Sequence, residues 1–160
     1  MRKVLLTAAD KLLWLYCAAG LIFLGLVVLT TFLQVATRYF LETSLSWTEE
    51  GARYSFIWMS MMGASLATRH GSNAAIDIIG DFLRGKAKAA HSVLVQCSII
   101  LASAVIGVYG VSMAEVMMVR NSAALGIPMG YVYIAIPVGC AGIVVQCLAN
   151  LAEMGKGGDC

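Results

Sequence analysis

The stretch LLWLYCAAGLIFLGLVVLTTFLQVA, residues 12–36, decides the class of this protein. It contains no Asp, Glu, Lys or Arg, and its most polar members are Thr30, Thr31 and Gln34. An α-helix rises about 1.5 Å per residue, so about 20 apolar residues cross the roughly 30 Å hydrocarbon layer of a bilayer. The run is long enough to span. Met1-Arg2-Lys3 in front of it imitates the start of a signal peptide, but the apolar stretch exceeds an h-region and no clear A-x-A cleavage site follows. A retained transmembrane helix is expected.

Working outward, Thr37-Arg38-Tyr39 closes this first span, and three more apolar runs follow at 47–68, 89–119 and 130–151. The composition agrees: 60% of residues are hydrophobic and 12% charged, with a mean hydropathy of +0.83, whereas soluble domains are about half apolar and a quarter charged. The expected fold is an all-α membrane protein with four transmembrane helices in a single membrane domain, residues 1–160. Once four helices are placed, only short connections remain. The net charge of +2 and the scattered basic residues carry no nucleic-acid signal.

Basic residues set the orientation. With the N-terminus inside, Arg2, Lys3, Lys11, Arg69, Arg84, Lys86, Lys88 and Lys156 face the cytoplasm, and Arg38, Arg53 and Arg120 face outward. Eight against three favours cytoplasmic N- and C-termini. Trp14, Tyr39, Trp47 and Tyr131 fall near the expected interfaces, as an aromatic belt requires. Between the second and third spans, residues 73–85 place Ile76, Ile79, Phe82 and Leu83 on one helical stripe and charged residues on the other. Such a segment is too short and too charged to span. It is either a helix lying in the membrane interface or one packed on a partner's cytoplasmic surface.

The start of the second span concentrates charge. Ser46-x-x-Glu49 has the form of a capping box. Glu49 and Arg53 are spaced for an intrahelical pair, and Glu50 competes for the same guanidinium. These carboxylates precede the apolar run rather than interrupting it, which favours docking over ion carriage. Arg38, Trp47, Glu49, Glu50 and Arg53 therefore form the candidate periplasmic docking surface. Small residues four apart, Ser60 and Ala64, Gly63 and Ala67, Ser103 and Gly107, Gly110 and Ala114, and Ala135 and Gly139, are candidate helix-packing positions. Pro128 and Gly130 mark a turn before the last span, and Pro137 inside it frees a carbonyl one turn back.

Several functions lack support. Embedded polar residues are few: Gln34, Gln96 and Gln146, with Glu115 and Arg120 near the end of the third span, and no acid sits at the middle of any span. Proton-coupled carriers usually need such a group. His70 and His91 lie at cytoplasmic helix ends rather than paired for haem. The five cysteines, Cys17, Cys97, Cys140, Cys147 and Cys160, form no CxxC, and neither HExxH nor GxSxG occurs. No enzyme activity and no cofactor in this chain are expected.

Three blocks resemble a known family. They are Gln34-x-x-x-Arg38-Tyr39 with Ser46-Trp47-Thr48-Glu49-Glu50-x-x-Arg53-Tyr54; Gly63 to Arg69 leading through His70 to Asp77; and Leu125-Gly126-Ile127-Pro128-Met129-Gly130-Tyr131-Val132-Tyr133 with Ile136-Pro137-Val138-Gly139. Together they are similar to the DctQ-like small membrane subunit of tripartite ATP-independent periplasmic (TRAP) transporters. The middle block departs in detail, since Gly71 follows His70 and Ile76 precedes Asp77. The resemblance implies a scaffold in the bacterial inner membrane that braces a large permease subunit. That partner would hold the sodium and substrate sites, and a periplasmic binding protein would deliver an organic acid. The competing expectation is a stand-alone four-helix carrier or exporter working as a homodimer. Such carriers use a carboxylate in their first helix, and residues 12–36 contain none.

Overall fold

In a computed structural model, residues 2–40, 45–69 and 86–154 are described. Five helices account for nearly all of them: α1 (Arg2–Phe40), α2 (Ser46–Arg69), α3 (Lys86–Met117), α4 (Gly130–Tyr133) and α5 (Ala135–Met154). Among the described residues the only β-type pairing is an isolated bridge between Asn121 and Pro128. The expected interfacial helix at 73–85, with Ile76, Ile79, Phe82 and Leu83, lies outside the described residues, as does His70.

Among the described residues three helical stretches are long and apolar enough to cross a membrane: Leu6–Phe40, Ala90–Met117 and Gly130–Glu153. The fourth expected span differs. Helix α2 exists, but Glu49, Glu50 and Arg53 occupy its first turns and Arg69 ends it. The uncharged part between them, residues 54–68, is about 22 Å long at 1.5 Å per residue, short of the hydrocarbon thickness. Its apolar content alone does not make it a span.

The last helix breaks where Pro137 dictates. A helical residue 137 would donate its N–H to the carbonyl of Tyr133; proline has no N–H, and its ring crowds that carbonyl. Accordingly α4 ends at Tyr133 and α5 begins at Ala135, with Ile134 as the hinge. Backbone bonds from Ile134 N–H to the Gly130 carbonyl (3.0 Å) and from Val138 N–H to the Ile134 carbonyl (3.2 Å) carry the helix across the break.

The helices are ordered α1–α2–α5–α3 across the molecule. Helix α1 packs mainly on α2, α2 on α5, and α5 on α3, while among the described residues α3 packs against neither α1 nor α2. This open row leaves its outer members bare. Only 6% of the most apolar window of α1 is buried, against 44% for the last span. Trp14, Ile22, Val28 and Phe32 project from α1, and Leu94, Leu101, Val108 and Tyr109 from α3.

Small residues set the close approaches. A Cβ on Gly110 would lie 2.9 Å from Ile136 Cγ2, and one on Gly107 would lie 3.3 Å from Cys140 Cβ, so α3 and α5 meet nearly backbone to backbone. A Cβ on Gly139 would fall 2.7 Å from Met61 Cβ on α2. Gly142 is the tightest: the Tyr16 ring of α1 lies where its Cβ would be, beside Ser65 Oγ. Tyr16 spends its hydroxyl on the Val138 carbonyl at 2.7 Å. Ser103 and Ala135 are buried in the same α3–α5 contact region.

Candidate functional site

Two polar fastenings hold opposite ends of this row. At the end where α1 begins and α2 and α5 finish, Arg69 is the centre. Its Nη1 donates to Asn150 Oδ1 at 3.0 Å, and its Nη2 donates to Asp10 Oδ1 at 3.2 Å and to Glu153 Oε1 at 2.7 Å. Asn150 Nδ2 donates to the Thr68 carbonyl at 2.8 Å, and one turn earlier Gln146 Nε2 donates to the Ala9 carbonyl at 3.0 Å. The guanidinium is 14% exposed, and the carboxylates are 61% (Asp10) and 50% (Glu153) exposed. The hydrogen bond that Arg69 donates to Glu153 leads in holding the Arg69 pKa above its ordinary value. A planar fork suits this task, because it meets three oxygens from two helices at fixed angles. The beginning of α1 and the end of α5 thus lie at the same end of the molecule.

The opposite end is built on Glu50 and the connection between α3 and α4. Helix α3 stops at Met117, and the chain turns back through a hairpin in which Ser122 N–H donates to the Ile127 carbonyl (2.9 Å) and Met129 N–H to the Arg120 carbonyl (2.8 Å). Its tip is one tight turn. Gly126 N–H donates to the Ser122 carbonyl at 3.2 Å, and Gly126 has φ +66°, a left-handed conformation that suits glycine. Ser122 begins this turn as an N-cap does, its Oγ accepting from Leu125 N–H at 3.2 Å.

Glu50 reaches across from α2 to complete the turn. Its Oε2 accepts from Ala124 N–H and Leu125 N–H, each at 3.2 Å, and the Ser122 hydroxyl donates to the same oxygen. The donors left over at the start of a helical turn carry partial positive charge, and a carboxylate is the acceptor that pairs with them best.

Competition for Arg53 is settled by this arrangement. Arg53 Nη2 donates to Glu49 Oε1 at 2.9 Å, a pair that is 64% and 58% exposed, and Glu50 is left for the hairpin. The capping box takes another form. Ser46 is the first helical residue, so the cap position is Leu45, whose carbonyl accepts from Thr48 N–H (3.1 Å) and from the Thr48 hydroxyl (2.7 Å). Glu49 turns outward to Arg53 instead of reaching back.

The remaining docking candidates, Arg38 and Trp47, are exposed near the same end. A cleft of about 220 Å³ opens there, lined by Arg53, Tyr54, Ile57, Met129, Tyr133 and Ile136 among others. The proposed packing residues divide into two groups. Ser103, Gly107, Gly110, Ala135 and Gly139 meet neighbours within the chain, whereas Ser60, Gly63, Ala64 and Ala67 are all exposed. Helix α2 buries Met62, Ser65 and Thr68 instead, and Gly63 lines an open groove between α1 and α2. Among the described residues no three His, Cys, Asp or Glu side chains gather as a metal site would need.

Sequence reasoning passed over Asp10, Asn150, Glu153, Ser122 and Gly142. The tip carried a local signal, Ser122 four residues before Gly126, a cap and a left-handed closure. The partners of Arg69 and Glu50 lie between 59 and 84 residues away in sequence, and helical spacing says nothing about them.

Comparison with known proteins gives this geometry a family. The chain is 28% identical over 123 residues to the sialic acid TRAP transporter small permease protein SiaQ of Vibrio cholerae, covering 77% of this chain and 71% of that one. It is 32% identical over 57 residues to the C4-dicarboxylate TRAP transporter small permease protein DctQ of the same organism, covering 36% and 25%. A third match, 28% identical over 108 residues, is to the isethionate TRAP transporter permease protein DctMQ of Oleidesulfovibrio alaskensis, covering 66% of this chain and 17% of that longer one. The family described as tripartite ATP-independent periplasmic transporters, DctQ component, matches residues 27–156, and the chain belongs to it.

Proposed function

We propose that this chain is the non-catalytic small subunit of a TRAP transporter, bracing a large permease subunit in the bacterial inner membrane. The match to the DctQ component over residues 27–156 carries the reading. Its physical support is the bareness of α1 and α3: apolar faces this extensive need lipid or another membrane chain against them. The absence of any charged residue from the middle of the three spans argues against an ion path through this subunit.

In this reading α2 also crosses the membrane, its charged outer turns held at the interface, and both termini are cytoplasmic. Sodium and the organic acid bind on the permease, to which a periplasmic binding protein delivers the substrate. The exposed α2 stripe of Ser60, Gly63, Ala64 and Ala67 packs on the permease, and Arg38, Trp47, Glu49 and Arg53 face the partners at the outer mouth.

The stand-alone carrier is the weaker reading, because the named relatives are TRAP transporter proteins and the first span carries no acid. Co-expression with the large permease tests the choice. The two should co-purify, and Glu49→Gln should lower assembly or uptake with the sodium-to-substrate ratio unchanged. A chain that is stable and monodisperse without a larger membrane partner, or a changed ratio in that variant, would refute the scaffold role.

A further inference from the structure

We infer that Glu50 is a positioning residue, which acts on assembly by holding the 120–129 hairpin in shape rather than by touching a partner itself. This rests on the reading of the chain as a subunit of a larger membrane complex. Three observations carry it. First, the carboxylate is already engaged, with two backbone N–H groups and the Ser122 hydroxyl on Oε2 and a second contact from Ala124 N–H to Oε1 at 3.3 Å. Second, its neighbour Glu49 takes Arg53, so the strongest cation nearby does not draw Glu50 away. Third, the tip that Glu50 fastens carries exposed apolar side chains, Leu125 at 38% and Ile127 at 42%, next to Tyr131 at 60% and Val119 at 88%.

Fixing such a tip takes an acceptor for its unpaired N–H groups. The hairpin supplies two backbone bonds along its stem and one across its turn, but Ala124 N–H has its acceptor on α2, and Leu125 N–H shares Glu50 with Ser122. Without the carboxylate Ala124 N–H turns to water, Leu125 N–H keeps only the Ser122 hydroxyl, and the turn loses the contact that ties it to α2. Two sequence blocks that resemble the family separately, one around Glu50 and one around Gly126, are thereby joined into one unit. The apolar tip is presented in a single orientation because an ionised group 72 residues earlier fills the concave side of the turn.

The test uses the full chain in lipid nanodiscs, with and without the large permease. Amide hydrogen exchange at Ala124 and Leu125 should speed up about tenfold in Glu50→Ala, the change expected from losing one net hydrogen bond. Glu50→Gln, which keeps one oxygen acceptor, should show a smaller change, and Glu49→Ala should show none. Amides of α5 serve as the fold control. In co-purification, Glu50→Ala and Ser122→Ala should each weaken retention of the permease, and the double variant should be no worse than the weaker-binding single. Unchanged exchange in Glu50→Ala would overturn the inference. So would strict additivity of the two substitutions, or full assembly in a Ser122→Ala chain whose tip exchanges freely. A wild-type chain that never binds the permease would sink the subunit reading instead, while the exchange result would still report on Glu50 alone.

Discussion

The two fastened ends of the molecule use charge in opposite ways. At Arg69 a cation is shared among side chains from α1 and α5, so the bond is between helices whose backbones are already complete. At Glu50 an anion is shared among groups of one turn, so the bond completes a backbone that is not. The first decides where helices sit; the second decides what shape a loop takes. Loss of the first should therefore register in global stability, and loss of the second mainly in local opening.

That contrast can be broken most severely near the Arg69 end. Gly142→Val would push a branched side chain into the Tyr16 ring and Ser65, where α1 lies directly on the α5 backbone. Overpacking of this kind costs about 1–3 kcal/mol, and thermal melting in detergent should show the largest drop of any single change considered. Arg69→Met should follow at about 1–2 kcal/mol, carried mainly by Asn150, because Asp10 and Glu153 are at least half exposed and turn partly to water. Arg69→Lys should recover only part of that, because an ammonium cannot offer the planar fork. If Arg69→Met melts like the wild type, the Arg69 end owes its geometry to packing alone.

At the Glu50 end the effects should be smaller and local. Gly126→Ala forces a Cβ into a left-handed conformation with open space around it, so only backbone strain of about 1 kcal/mol applies. Faster amide exchange in residues 122–127 with an unchanged melting temperature would sharpen the distinction; a large fall in melting temperature would blur it. Glu49→Gln should be the mildest, within about 0.5 kcal/mol by the same melting assay, because both partners are more than half exposed.

Much of the architecture was legible because lipid imposes simple rules. Apolar runs of the required length located α1, α3 and the α4–α5 helix, and Pro137 foretold the break at Ile134. The second helix was legible as a helix, but its reading as a fourth span goes beyond what its length and apolar content establish. Its charge clusters and its short uncharged stretch leave hydropathy undecided, and neighbours on two sides hold it in place. Likewise the small-residue stripes of α2 and α3 look alike on paper, yet Ser60, Gly63, Ala64 and Ala67 stay exposed while Ser103, Gly107 and Gly110 meet neighbours in this chain. Spacing shows that one helix face is small; it cannot show what stands opposite.

By itself the sequence determined that the chain is helical, that it has spans to bury in lipid, and that its charges stay at helix ends. Hydrophobic length and backbone self-satisfaction within a helix are local properties, readable along one segment at a time. Only the tertiary structure decided that the helices stand in the open row α1–α2–α5–α3. It alone also decided that Arg69 ties three of them and that Glu50 serves the hairpin rather than Arg53. Those outcomes depend on which side chains meet across 59 to 84 residues of intervening chain. An ion or a backbone donor takes whichever partner the packing brings within about 3 Å, and no periodicity encodes that choice.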